Sequence, residues 1–169
     1  MTAATEVERG FTIVRQFDAP RELVFQAWTD PEQLHWLADT PPSSDHPTTV
    51  DLRVGGTWRL RLVEGNAEAT SYMTGGIYRE IVAPEKLVFT WGAVDGWPQL
   101  DPDCIDDGPI VTITLHEVNG ATEMVFHLGF ADRLTEQRVR DWLATGMRDG
   151  WTQTLERLSR HLLIFRATR

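Results

Sequence analysis

Hydrophobic and polar residues alternate along much of this chain, and the alternation begins in the segment FTIVRQFDAP. From Phe11 to Phe17 the period is two residues, which predicts a strand with one buried face. Pro20 cannot donate in a strand ladder but suits the first turn of a helix, so we expect the strand to end before it. Apolar residues at helical spacing then predict two short helices, the first carrying Leu23, Val24, Ala27 and Trp28 and the second Leu34, Trp36 and Leu37.

Period-two alternation returns after a polar loop and predicts six more strands. Glycine, proline and asparagine separate them. At Gly55-Gly56 we expect a tight turn in which at least one residue has positive φ. Gly75-Gly76 could bulge its strand, so the pattern leaves open which face of that strand points inward. The predicted strands are 50–54, 57–63, 72–82, 87–91, 110–118 and the strand that follows the Asn119-Gly120 turn.

From Thr135 onward the hydrophobic period changes to 3.6 residues, which predicts one long terminal helix. Thr135 is the expected N-cap. About 27 residues would give a helix of roughly 40 Å. Gly146 and Gly150 would lie inside it at a cost of ~1 kcal/mol each, so they indicate either a close backbone approach or space left for a ligand. The expected buried stripe is Val139, Leu143, Met147, Trp151, Leu155, Leu158 and Leu162.

This order of elements predicts an α+β helix-grip fold. Strands joined by hairpins form an antiparallel sheet. Each strand has one apolar face and the terminal helix has one apolar stripe, so helix and sheet pack as two layers. We expect a curved seven-stranded sheet around the long C-terminal helix, with two short helices after the first strand. Residues 1–10 are predicted to be a flexible tail, and 11–165 a single domain.

Composition and charge reduce the number of functions and partners that this protein is expected to have. Hydrophobic residues make up 41% and charged residues 24% of the 169 residues, which is ordinary for a globular domain. A net charge of −9 argues against nucleic acid and anionic membrane as partners. We expect no membrane span, because no apolar run reaches ~18 residues. A single cysteine, Cys104, and the lack of a secretory signal in the first residues predict a cytoplasmic location.

Four sequence blocks resemble the Activator of Hsp90 ATPase homologue 1-like family, part of the START/Bet v 1-like (SRPBCC) superfamily. They are the FDAP…VFQAWTDPEQLHW block, the VGGTW segment at 54–58, the stretch from Gly76 through APEKLVFTW, and Gly150-Trp151 with Leu155 and Leu158. The resemblance covers about residues 11–163. It implies the helix-grip fold, and it carries no shared catalytic motif.

A curved sheet that grips a straight helix encloses a concave space, and we expect a ligand cavity there. Such pockets are usually ~300–1,000 Å³ and mostly apolar. The alternative is that the same aromatic residues simply fill the core. Trp97, in the long loop 92–109, could cover the cavity mouth. The expected lining residues are Trp58, Leu60, Tyr78, Phe89, Trp91, Phe126, Met147, Gly150 and Trp151.

Three functional hypotheses follow. The first is a non-enzymatic protein that binds a small, largely apolar molecule in this cavity. The second, implied by the family name, is a module that interacts with an Hsp90-type chaperone or another protein. The third is a cyclase, isomerase or hydrolase acting in the same cavity, which would need an inward titratable group. The candidates for that group are Tyr72, Tyr78, Glu80 and His127.

No motif predicts a cofactor, a metal site or a defined set of catalytic residues. The five histidines do not fall at metal-ligand spacing with one another or with Cys104. His127 lies between Phe126 and Leu128 on a strand, so it should point outward if they point inward. Five aspartates in loop 92–109 do not match a calcium loop, and we expect a solvated acidic loop. No phosphate-binding or nucleophile signature is present.

Overall fold

The structure, a computed structural model, describes residues 9–37, 47–63 and 71–167. Within these ranges the side chains of 62, 63, 71, 72 and 165–167 are not described. Seven antiparallel strands form one sheet, and a long helix ends the chain. The predicted helix-grip fold class is therefore confirmed.

The sheet order is β1-β7-β6-β5-β4-β3-β2, so the first strand closes against the last. Phe11 lies opposite Leu128 and Phe17 opposite Thr122 in the β1–β7 ladder. Between β1 and β2 the chain forms helix α1, Arg21–Thr29, and a 3₁₀ turn, Leu34–Leu37. The strands are β1 Gly10–Phe17, β2 Thr49–Val50, β3 Thr57–Val63, β4 Ser71–Val82, β5 Lys86–Trp91, β6 Ile110–Val118 and β7 Ala121–Gly129.

The prediction of one continuous terminal helix was wrong, because the chain forms two helices. Helix α2 spans Glu136–Leu143 and helix α3 spans Met147–Ala167. Gly146 has φ +89°, a left-handed conformation that ends a helix readily only at glycine. Thr135 caps α2 as expected, since its side chain accepts a hydrogen bond from the Arg138 amide. At 21 residues, α3 is about 31 Å long.

The turn before β3 matches its prediction, but the strand leading into it does not. Gly55 has φ +86°, so the expected positive φ is confirmed. β2 has only two residues, and both Leu52 and Val54 are exposed. The chain turns early because the Arg53 amide donates to the carbonyl of Asp51. Apolar alternation over 50–54 therefore reflects exposed turn residues rather than a longer strand.

The N-terminal segment is tied to the β7–α2 connection. Residues 1–8 of the predicted tail lie outside the described residues. Gly10 already belongs to β1. The Arg9 guanidinium donates to the carbonyls of Ala131 and Leu134, at 3.0 and 2.8 Å. Arg9, directly before β1, thus links this edge strand to the segment that leads into α2.

Helices α1 and α3 cover the inner face of the sheet. Helix α3 packs against α1, β1, α2 and the 3₁₀ turn. On the predicted stripe Met147, Trp151, Leu155 and Leu158 are buried as expected, while Leu143 is only half-buried because it ends α2. Among the described helices none is long and apolar enough to cross a membrane.

Candidate functional site

Aromatic rings from the sheet and from α1 meet around Phe89, in the middle of β5. The ring centroid of Phe89 lies 5.4 Å from that of Trp58 on β3 and 6.5 Å from those of Tyr78 on β4 and Trp28 on α1. All four side chains are at most 3% exposed. Alternation along each strand places the rings of Trp58, Tyr78 and Phe89 on the same inner face of the sheet, and Trp28 meets them from α1.

Trp151 joins helix α3 to this group. Its ring centroid lies 4.7 Å from Phe126 on β7, 5.0 Å from Trp91 on β5 and 6.2 Å from Trp28. These are contact distances for aromatic rings. We call Trp28, Trp58, Tyr78, Phe89, Phe126 and Trp151 the aromatic cluster.

The other predicted lining residues fall in three different settings. Leu60 and Met147 are buried and belong to the same hydrophobic core as the aromatic cluster. Trp91 is half-buried at its margin, where its indole Nε1 donates to Thr74 Oγ1 at 3.0 Å. Gly150 is exposed, and a methyl group added there would meet no atom within 4 Å. Gly150 therefore lies on the outer side of α3 and neither approaches the sheet nor borders the interior.

Gly76 on β4 lets the Trp58 ring lie against the sheet backbone. A Cβ atom at this position would collide with Trp58 Nε1 and would lie 2.9 Å from the Phe89 ring. No side chain fits between these rings and the strand. Glycine at 76 thus leaves the space that the Trp58 ring and its N–H occupy within the aromatic cluster.

Of the residues considered for catalysis, Tyr78 is the one whose described side chain faces inward. A β-bulge after Tyr78 shifts the register, so Glu80 is exposed and pairs with Lys86 at 3.2 Å. His127 is exposed on the outer face as expected, 2.9 Å from the Thr12 hydroxyl. The side chain of Tyr72 lies outside the described set. The bulge follows Tyr78 rather than Gly75-Gly76, and it separates Tyr78 from Glu80.

Four polar atoms of the aromatic cluster are buried without a hydrogen-bond partner. They are the indole Nε1 atoms of Trp28, Trp58 and Trp151 and the hydroxyl of Tyr78. Leaving a buried donor unpaired costs ~1–3 kcal/mol. Another buried indole shows the usual arrangement, because Trp36 Nε1 donates to the Ala27 carbonyl at 2.8 Å. Trp142 Nε1 on α2 also lacks a partner, but this ring is half-buried and lies against Trp97 of loop 92–109.

The Tyr78 hydroxyl remains protonated throughout the physiological range. Burial raises the pKa of Tyr78 well above its usual value, and the negative charge of Asp51 raises it further. Tyr78 is therefore available as an O–H donor. Sequence reasoning selected Trp58, Tyr78 and Trp151 but missed Trp28, because the helical period of α1 indicates burial and does not indicate which rings it contacts.

Loop 92–109 is fastened by its acidic side chains rather than freely solvated. Asp95 accepts from Arg59 at 2.7 Å, Asp106 from Arg79 at 2.7 Å, and Asp107 lies 2.9 Å from Arg133. The hydrogen bond from Arg59 lowers the pKa of Asp95. No group of three or more possible metal ligands occurs among the described residues. The aspartates themselves are mostly exposed, but three of them join β3, β4 and the β7–α2 connection to the loop.

A separate surface pocket of about 460 Å³ lies at the β1–β7 edge of the sheet, and no member of the aromatic cluster lines it. Its lining includes Arg9, Phe11, Thr12, His127 and Asp132. Arg9 is already engaged by two backbone carbonyls. The pocket is therefore an open polar groove and not the predicted interior cavity.

The sequence profile described as Activator of Hsp90 ATPase homolog 1-like protein matches residues 18–162. The chain belongs to this family. The matched range runs from the end of β1 through most of α3, so the AHSA1-like domain contains the whole aromatic cluster. No curated protein is significantly similar in sequence to this family member.

Solved structures share the fold of this AHSA1-like chain at low sequence identity. A protein from Nitrosomonas europaea has a TM-score of 0.72 at 22% identity, covering 96% of this chain and 99% of the other. One from Arthrobacter aurescens has a TM-score of 0.72 at 26% identity, covering 94% and 89%. An HSP90 activator from Plasmodium falciparum has a TM-score of 0.56 at 25% identity, covering 86% and 89%.

Proposed function

We propose that this protein binds a small, largely apolar molecule between the sheet and α3. The observation that carries the proposal is the aromatic cluster itself, in which four buried donors have no partner. A core selected only for stability would pair these donors or replace them, since each costs free energy. Ligand sites in proteins commonly combine apolar walls with a few polar groups of this kind.

The elements that supply the aromatic cluster support the same proposal. Trp58 and Phe89 come from the sheet, Trp28 from α1 and Trp151 from α3. Rings of this size give large contact areas to a flat apolar molecule. The family assignment supports the architecture on which the site depends, while the ligand itself is inferred from these side chains.

Titration with N-phenyl-1-naphthylamine, a neutral hydrophobic fluorophore, tests this function. We expect saturable one-to-one binding with quenching of tryptophan emission. Trp151→Ala should weaken binding at least about tenfold, since a fully buried aromatic contact is lost. Trp97→Ala is the matched control, because it removes an indole that is 37% exposed and lies outside the aromatic cluster. A folded wild-type protein without saturable binding would contradict the proposal.

A second candidate function is interaction with an Hsp90-type chaperone. The family description and the similarity to an HSP90 activator from Plasmodium falciparum favour it. The test is the ATPase rate of a purified Hsp90 with increasing amounts of this protein, using heat-unfolded protein as the control. A saturable rise in rate would support the chaperone role, and an unchanged rate would exclude activation of that chaperone.

Two further parts of the proposal concern catalysis and location. An enzymatic role in the same interior would depend on Tyr78, so Tyr78→Phe is the variant that would remove it.

We place the protein in the cytoplasm on the basis of its composition and its single cysteine. Fractionation of the native host, with an antibody against the protein, would test that placement.

A further inference from the structure

We propose that the surface pocket at the β1–β7 edge binds a small zwitterionic amino acid with an apolar side chain. This site is separate from the aromatic cluster, and the inference does not depend on the ligand-binding function proposed above. We call it the edge pocket. It has a volume of about 460 Å³ and is lined by Arg9, Gly10, Phe11, Thr12, His127, Gly129, Phe130 and Asp132.

The missing side chain of Gly129 leaves an open space in the lining of the edge pocket. A Cβ atom at this position would lie 3.0 Å from Nε2 of His127 and 3.8 Å from the carbonyl oxygen of Arg9. Gly129 itself is buried. A ligand atom beside Gly129 would therefore lie close to both an imidazole nitrogen and a carbonyl oxygen.

A hydrogen bond orients the ring of His127 toward this space. Nδ1 lies 2.9 Å from the Thr12 hydroxyl, which leaves Nε2 for a ligand. Nε2 is also the side-chain atom nearest to the open position at Gly129. The ring is thus positioned to form a hydrogen bond with a polar group in the edge pocket.

The guanidinium of Arg9 is held in place and retains donors for a ligand. Both hydrogens of Nη2 are used, since Nη2 donates to the carbonyls of Ala131 and Leu134 at 3.0 and 2.8 Å. Nη1 and Nε have no hydrogen-bond partner among the described residues. A side chain fixed in this way loses little freedom on binding. Arg9 can therefore give a carboxylate a charge-assisted hydrogen bond from Nη1.

Opposite charges line the edge pocket without pairing. Asp132 is exposed, and neither Asp132 nor Arg9 forms an ion pair with a described residue. Treated as a sphere, the pocket is about 10 Å across, which accommodates a ligand that places its own charged groups between them through hydrogen bonds of about 2.8 Å. An amino acid supplies a carboxylate for Arg9 and an ammonium group for Asp132.

Two phenylalanine rings border the edge pocket and favour an apolar side chain on the ligand. Phe11 is buried, and Phe130 is half-buried. Covering the exposed part of the Phe130 ring removes apolar surface from water, which is favourable. L-leucine should therefore bind more tightly than glycine, and equal affinities would overturn this part of the inference.

The test is a titration of the ¹⁵N-labelled protein with L-leucine at pH 7. We expect saturable shifts of the backbone amides of Gly10 and Gly129 and of the His127 ring nitrogens. The dissociation constant should be about millimolar, as a few hydrogen bonds at an open site give. The absence of saturable shifts at these groups up to the solubility limit of leucine would overturn the inference.

Two leucine derivatives separate the contributions of the two ligand charges. N-acetyl-L-leucine keeps the carboxylate and lacks the ammonium group, whereas L-leucinamide keeps the ammonium group and lacks the carboxylate. Each should bind at least about fivefold more weakly than L-leucine, because one charge-assisted hydrogen bond is lost. If either derivative binds as tightly as L-leucine, the edge pocket recognises a single charge and the zwitterion assignment is wrong.

Asp132→Asn and Arg9→Gln assign each ligand charge to its partner. Asp132→Asn should weaken L-leucine about fivefold and leave N-acetyl-L-leucine unchanged, since the acetylated ligand has no ammonium group. Arg9→Gln should weaken both of these ligands and leave L-leucinamide unchanged. Asp103→Asn is the matched control, because it removes a negative charge from an exposed side chain outside the edge pocket. Equal losses for all three ligands in each variant would overturn the assignment.

Gly129→Ala closes the edge pocket without changing its charge. The new methyl group would lie 3.0 Å from Nε2 of His127 and would occupy the space assigned to the ligand. We expect L-leucine to bind at least about tenfold more weakly, with the circular dichroism spectrum unchanged. Gly150→Ala is the control, because its methyl group meets no atom within 4 Å. Unchanged leucine affinity in Gly129→Ala would place the ligand elsewhere and overturn the inference.

Discussion

Loop 92–109 and the aromatic cluster differ in whether their polar groups have partners. The loop is exposed, yet Asp95, Asp106 and Asp107 each meet an arginine within 2.9 Å. The aromatic cluster is buried, yet four of its donors meet no partner. Unpaired polar atoms cost little at the surface, where water replaces a partner, and most in the interior. Within this comparison, the polar groups without a partner therefore lie in the interior, where the free-energy cost of leaving them unpaired is highest.

This difference indicates separate roles for the two regions. Exposed ion pairs contribute little to stability individually, so the three aspartates chiefly position the loop against the sheet and the β7–α2 connection. The unpaired donors of the interior reduce stability in the free protein, and a ligand would recover that loss. The predictions below test this contrast, beginning with the largest expected effect.

Removing the central ring of the aromatic cluster should have the largest effect on stability. Trp151→Ala deletes contacts with Phe126, Trp91 and Trp28, and we expect it to lower the free energy of unfolding by about 3–5 kcal/mol. Urea unfolding followed by circular dichroism measures this. A loss below about 1 kcal/mol would mean that the aromatic cluster is loosely packed and does not support α3.

Removing one unpaired donor should stabilise the ligand-free protein, whereas removing a paired one should destabilise it. We expect Tyr78→Phe to raise the free energy of unfolding by about 1–3 kcal/mol and Thr122→Val to lower it by about 1–2 kcal/mol. The second variant leaves the Ala19 carbonyl without its donor. If both variants are destabilised alike, the Tyr78 hydroxyl has a partner in solution, such as a bound water, and the contrast between the regions is weakened.

Adding a methyl group at position 150 tests whether the face of α3 that carries Gly150 lies outside the interior. Gly150→Ala should stabilise α3 by about 1 kcal/mol, because alanine is the better helix former and no atom lies within 4 Å of the new methyl. Fluorophore binding should not change. Gly146→Ala is the contrasting variant, since φ +89° strains an alanine and should cost about 1–2 kcal/mol. Thermal unfolding of both variants checks the opposite signs.

The smallest effect is expected from the acidic loop, and it depends on pH. The lowered pKa of Asp95 means that its carboxylate contributes stability above its ordinary pKa of 3.8, and the contribution is lost as the pH falls through the folded-state pKa. Asp95→Asn should therefore lower the urea midpoint slightly at pH 7 and have a smaller effect near pH 3, below the ordinary pKa of the carboxyl group. High salt should also reduce the difference at pH 7.

Asp103→Asn is the control for that experiment. The Asp103 side chain is exposed in the same loop and has no hydrogen bond or ion pair among the described residues. It should leave the urea midpoint unchanged at both values of pH. Equal losses in the two variants at pH 7 would show that general charge balance, rather than the Asp95–Arg59 pair, fastens the loop.

Local patterns in the sequence were sufficient to predict much of the fold. Period-two alternation located the six longer strands and placed His127 outward, and the change to 3.6 residues placed Met147, Trp151, Leu155 and Leu158 on one buried face. These features depend on neighbours a few positions apart, which a period reports directly. The break at Gly146 was missed because the apolar spacing continues through it, although glycine there forms the positive-φ end of α2.

The site depended on contacts between residues that are distant in the chain. The sequence by itself determined that Trp58, Phe89 and Trp151 would be buried, since each lies on an apolar face of a predicted element. It left open whether Tyr78 points inward, and the structure shows that it does. Only the tertiary structure decided that Trp28 joins them, that a bulge turns Glu80 away, and that four donors have no partner. Hydrogen-bond partners and ring contacts are set by how α1, α3 and the sheet pack together, and periodicity within one element carries no information about that packing.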